Sequence, residues 1–132
     1  MYHPSVSQSD LLLKIFFDSV ERFIGVLHEP TFRRELDQFR MKKFSLHREF
    51  EALLFSIYAM AIVSMRSDRV VRLFGESRDV LLERYQFAAE KALSAANILR
   101  SRKILTFQAL LYYLVSRPNL LLGASLDSKF KR

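Results

Sequence analysis

The amino-acid sequence predicts an all-α fold, about five helices packed around one buried central helix. Three observations carry that expectation. The stretch from Phe50 to Met65 is apolar nearly all round, broken from Ala52 onward only by Ser56, Ser64 and the Tyr58 hydroxyl. A surface helix shows a single apolar stripe, so a segment like this one has to be enclosed by other elements. Only three Gly and three Pro interrupt the 132 residues, and the apolar positions recur at helical spacing instead of alternating as a strand would. A bilayer is not the enclosure implied. Crossing one takes about 18 consecutive apolar residues or more, and this run is bounded by Glu49 and Glu51 on one side and by Arg66, Asp68 and Arg69 on the other.

Composition fits one soluble globular domain, 50% hydrophobic and 27% charged. The absence of Cys excludes a disulfide framework and any cysteine-based zinc site within the chain, and is compatible with a reducing compartment. The opening MYHPSVSQSD lacks the basic region followed by an apolar run of a secretory signal; an intracellular protein is expected. A net charge of +7 and a pI near 10.0 invite a nucleic-acid partner. The distribution argues otherwise. Arg33 with Arg34, Lys42 with Lys43, Arg100 with Arg102 and Lys103, and Lys129, Lys131 and Arg132 are short clusters of the kind that decorate helix ends and loops. Direct nucleic-acid contact is therefore not expected of this chain.

In chain order, residues 1–8 read as a tail, with Ser7 and Asp10 in capping-box spacing to start the first helix. Leu12, Phe16, Val20 and Phe23 then trace one face, widened by Leu13 and Phe17, while Lys14, Asp18, Glu21 and Arg22 lie away from it. Gly25 should weaken or turn the helix. Pro30 restrains Glu29 from helical angles and suits the first turn of a new helix. Phe32, Leu36 and Phe39 continue that helix, and Arg33 is placed to pair with Asp37. His28 at the junction has no second His, Cys or carboxylate at ligand or catalytic spacing. The zincin pattern needs another histidine four residues on, so His28 reads as a structural residue hydrogen-bonding across the junction.

Ser45 is a plausible cap for the central helix, with Glu49 and Glu51 near its positive end. Ala52, Ser56 and Ala59 form a strip of small residues that lets a neighbour approach, and Met60 and Met65 read as core packing. Val70, Val71, Leu73 and Phe74 make a short packed turn before Gly75. Ser77 caps the next helix, along which Leu81, Tyr85, Ala88, Ala92, Ala96 and Leu99 follow one face beside Ala89 and Leu93. Those alanines imply close packing on the central helix. A last helix runs through Leu105 to Val115, and Ser116-Arg117-Pro118 breaks it.

Several of these strings, in this order, resemble one family. Phe16-Phe17-Asp18-Ser19-Val20 followed by Leu27-His28-Glu29-Pro30-Thr31-Phe32 is similar to the opening of the fungal-specific transcription factor domain, the middle homology region of fungal binuclear zinc-cluster transcription factors. The run Leu53 to Ala61 is similar to that family's buried third helix. Glu83-Arg84-Tyr85, Ala88 to Leu93 with Ile98-Leu99, and Leu105 to Leu111 continue the likeness. It covers roughly Leu11 to Val115. Leu27, His28, Pro30, Thr31, Phe32, Glu83, Tyr85, Ala88, Ala92, Leu93, Gln108, Ala109 and Leu110 carry the motifs, and the resemblance assigns them structural roles. One departure stands out: the family has a proline shortly after the valine matching Val20, whereas this chain has Glu21-Arg22, so its first helix should run longer.

The resemblance implies an incomplete portion of a larger α-helical regulatory domain at residues 9–115, followed by a divergent tail at 116–132. It implies a nuclear role in transcription regulation. With no Cys, zinc and DNA reading belong to an upstream module that this chain does not carry. The sequence identifies no small-molecule effector. The alternative is a free-standing helical interaction module with a basic surface. Either way, missing later helices would leave apolar surface uncovered, and self-association or a protein partner would cover it. No enzyme is expected, since Glu83, Glu90, Asp68 and Asp79 sit as solvated charges and no nucleophile stands in relation to a base.

Overall fold

The computed structural model describes residues 3–25, 27–41, 48–96 and 104–116. Among these residues it contains six helices and no strand. They are α1 (Val6–Phe16), extended by a π-helical segment (Phe17–Glu21) and a last turn (Arg22–Ile24); α2 (Glu29–Met41); α3 (Arg48–Val63); α4 (Ser67–Phe74); α5 (Arg78–Ala95); and α6 (Ile104–Ser116). The sixth is α4, expected only as a packed turn. It buries Val70, leaves Val71 and Leu73 exposed, and closes on Gly75 in the left-handed region at φ 75°.

The central helix is α3. Phe50 and every residue from Ala52 to Ile62 are buried, with α1, α5 and α6 packed against it. Its bounds shift slightly from the expected Phe50 to Met65. Arg48 and Glu49 join the first turn, Ser45 lies outside the described residues, and the helix stops at Val63. Met65, past its end, is still buried. Two carbonyls at this end, of Val63 and Met65, accept 2.9 Å hydrogen bonds from Nη2 and Nε of Arg78, a cation satisfying the negative end of the dipole. The apolar run from Ala52 to Ile62 is enclosed throughout, while Arg48, Glu49, Glu51 and Val63 toward the helix ends keep some exposure.

The alanine face of α5 lies on α3 as expected, with Leu81, Tyr85, Ala88, Ala89, Ala92, Leu93 and Ala96 all buried. Ile98 and Leu99 lie outside the described residues. Ser77 is the N-cap, its hydroxyl accepting from the Val80 N–H. The other end of the chain differs from expectation. Ser5, not Ser7, caps α1 by accepting from the Gln8 N–H, so the helix begins earlier than the capping-box spacing implied. Ahead of it, the His3 ring stacks on Phe55 at 4.4 Å and its Nε2 lies 2.8 Å from Glu51.

A larger correction concerns the second half of α1. Leu12, Leu13, Phe16 and Val20 are buried, but Phe23 is 82% exposed and Glu21 only 7%. The cause is the π-helical segment. Its wider turn takes an extra residue, so later positions fall roughly 100° behind the α-helical pattern. The apolar stripe ends at Val20, and a carboxylate takes the inward place. As the missing proline suggested, the helix does run on, to Gly25 at φ 66°. α2 seats through its aromatic residues, with Phe32 and Phe39 at 5.4 and 5.3 Å from the Phe50 ring. Arg33 pairs with Glu29, at 3.1 Å, instead of Asp37, and lies over the Phe17 ring.

Candidate functional cleft

The junction between α1 and α2 is built around Glu21. One carboxylate oxygen accepts a 2.6 Å hydrogen bond from the Leu27 backbone N–H, and the other accepts from the Tyr112 hydroxyl on α6. Leu27 precedes α2, so its N–H has no helical acceptor of its own; the carboxylate supplies one. Burial pushes the Tyr112 phenol well above its usual range, with the Glu21 hydrogen bond and charge adding to the effect. A neutral phenol donating to a carboxylate is the arrangement those shifts favour. One residue thus ties the end of α1, the start of α2 and the middle of α6.

On the side of this tie lies a cleft of about 350 Å³, lined by Leu27, His28, Thr31, Phe32 and Glu35 at and along α2, Leu53 of α3 and Gln108 of α6. His28 begins α2, its carbonyl accepting from the Phe32 N–H at 3.0 Å. Its Nδ1 is 2.8 Å from the Thr31 hydroxyl, a bond within the first turn of α2 and not one that crosses the junction to α1. Positions 28, 31, 32 and 35 fall at spacings of three and four, so they share one helix face. Leu53 supplies apolar wall from the central helix.

The thirteen motif residues separate into three places. Leu27, His28, Thr31, Phe32 and Gln108 meet at the cleft. Tyr85, Ala88, Ala92, Leu93 and Ala109 are core, and Leu110 packs against it half-buried. Pro30, in the first turn of α2, and Glu83 are exposed. Leu105, Thr106 and Phe107 fall within α6, but their side chains lie outside the described residues. Glu21, Glu35 and the cleft-facing role of Leu53 were not found from sequence; the first needs the π-turn to be known, and the others need the position of α6. Glu90, expected as a solvated charge, accepts a hydrogen bond from the Tyr113 hydroxyl.

A second polar cluster ties α1, α2 and α3. The buried Ser9 hydroxyl is 2.7 Å from the Tyr58 hydroxyl and accepts from Arg40, which also pairs with Asp10 at 3.0 Å. Burial pushes the Tyr58 phenol up to about 12. Among the described residues, no group of three or more His, Asp or Glu is arranged to hold a metal, and no helix is long and apolar enough to cross a membrane.

Comparison with known proteins finds several relatives by sequence. The chain is 34% identical over 118 residues to the transcriptional regulator AacuB of Aspergillus aculeatus, covering 89% of this chain and 16% of that protein. It is 36% identical over 114 residues to the aurofusarin cluster transcription factor aurR2 of Gibberella zeae, covering 86% and 17%. A C6 finger domain transcription factor, adaR of Aspergillus niger, is 29% identical over 119 residues, covering 89% and 15%. The chain therefore spans about a sixth of the length of the curated relatives it matches. No solved structure is significantly similar. The turn at His28 to Phe32, the enclosed α3 and the alanine face of α5 all fall inside a match over residues 13–118, by which the chain belongs to the fungal specific transcription factor domain family.

Proposed function

We propose that the chain is a regulatory part of a fungal zinc-cluster transcription factor, acting on transcription in the nucleus without reading DNA or catalysing a reaction itself. The observation that supports this most is the family match over residues 13–118, together with relatives whose names are those of transcriptional regulators. In this reading zinc is held elsewhere in the whole regulator, since this chain has no Cys to ligate it. The test is a fusion of the chain between a heterologous DNA-binding domain and an activation segment, read by a reporter. Reporter output should change relative to a fusion lacking the chain. A gel shift at physiological salt in which the chain alone discriminates strongly between DNA sequences would overturn the proposal.

A second reading, association with protein partners or with a second copy, is favoured by exposed apolar side chains on the two outer helices, Val80 and Phe87 of α5 and Leu111 and Val115 of α6, each at least 38% exposed. Sedimentation should show mass rising with concentration. A sharp monomer boundary at high concentration contradicts it.

A further inference from the structure

We propose that the cleft between α2 and α6 is a binding site for a small amphipathic cation, an amine or guanidinium carried on an apolar body. A volume of about 350 Å³ lies in the range of small-molecule sites, and its make-up follows their pattern of apolar walls with a few convergent polar groups. Leu27, Phe32 and Leu53 give the walls. The polar groups are His28, Thr31, Glu35 and Gln108.

Their charge selects the ligand. Glu35 is the one carboxylate among the described lining residues, and no lysine or arginine is among them. The helix positions one turn away from it are Thr31, Phe32, Gln38 and Phe39, so its own helix offers no counter-ion. Three other acids do have one. Glu29 pairs with Arg33, Asp10 with Arg40 and Glu76 with Arg84. In a chain of net charge +7, Glu35 stands half-buried with no ion pair to any of the described residues, beside the phenyl and leucyl side chains that line the cleft. A ligand cation gives that carboxylate a charge-assisted hydrogen bond. With Nδ1 of His28 engaged by Thr31, Nε2 is the ring nitrogen left for a ligand, and neutral imidazole accepts there when Nδ1 holds the proton. An anion meets Glu35 and finds no lysine or arginine among the described lining residues.

The site also spans two elements whose spacing is set by the Glu21 tie. Leu27 on one wall is held by Glu21, and Gln108 on the other stands one turn from Tyr112. A bound cation bridging α2 and α6 adds a second link beside the first; that consequence for regulation rests on the function proposed above, whereas binding does not.

Three probes of equal length and different charge test it: 4-phenylbutylamine, 4-phenylbutanol and 4-phenylbutyrate, titrated into the isotope-labelled full chain and followed by amide NMR. The amine should perturb Leu27, Thr31 and Gln108 and bind about tenfold more tightly than the alcohol, with the carboxylate weakest. Glu35→Gln should bring amine and alcohol to equal affinity, and Gln108→Trp should block both by filling the mouth. Equal binding of all three probes overturns the proposal, as does an amine preference that survives Glu35→Gln or perturbations confined to another face. Because the readout is binding, it is independent of the reporter result.

Discussion

Around Ile57 the central helix is held by apolar contact with α1, α5 and α6, whereas the far end of α1 is held to α2 and α6 by one buried carboxylate. Both regions are closed to water; Ile57 is fully buried and Glu21 is 7% exposed. Apolar packing is non-directional and shared among many neighbours, so its cost of disturbance scales with the volume removed. A buried carboxylate with two donors is directional: deleting it leaves the Leu27 N–H and the Tyr112 hydroxyl without their acceptor. The contrast separates what sets stability from what sets the geometry of the cleft.

The largest effect is expected in the apolar region. Ile57→Ala should lower unfolding free energy by about 2 to 5 kcal/mol, read from the urea midpoint, without altering probe selectivity at the cleft. Next comes the polar tie. Glu21→Ala should cost about 1 to 3 kcal/mol, and a cycle with Tyr112→Phe should show coupling of about 0.5 to 3 kcal/mol. Additive single effects would erase the distinction drawn here. Alkaline pH sharpens it from another side. Burial raises the Tyr58 and Tyr85 phenols from 10.0 to about 12. Below pH 10 both are neutral in folded and unfolded chains and their contribution to stability is fully present. Above it the unfolded chain ionises first, so stability should fall between pH 10 and about 12, with phenolate absorbance lagging until unfolding. The smallest effect belongs to the position turned outward by the π-segment: Phe23→Ser should change stability by no more than about 0.5 kcal/mol, whereas a regular α-helix would have buried it.

Apolar order was legible in the sequence because it repeats. The faces of α2 and α5, the enclosed α3, the Gly25 and Gly75 stops and the Ser77 cap all follow from spacing and residue type. The same rule failed within α1. Its 3.6-residue period assumes regular turns, and the extra residue between Phe17 and Glu21 moves Phe23 out and Glu21 in. Pairings between distant residues carry no local signal either. Ser9 with Tyr58, Arg78 with the carbonyls closing α3, and Glu21 with Tyr112 become visible only when the helices are in place. Five of the seven cleft residues, Leu27, His28, Thr31, Phe32 and Gln108, were named in the sequence as motif residues, while nothing in it singled out Glu35.

Hydrogen exchange at the Leu27 amide tests the central claim most directly, that a buried Glu21 holds the cleft wall in place. In the wild-type chain this amide should be protected although its acceptor is a side chain, and Glu21→Ala should remove that protection while the amide of Ile57 keeps its own. Rapid exchange at Leu27 in the wild type, or protection unchanged in Glu21→Ala, would contradict the account.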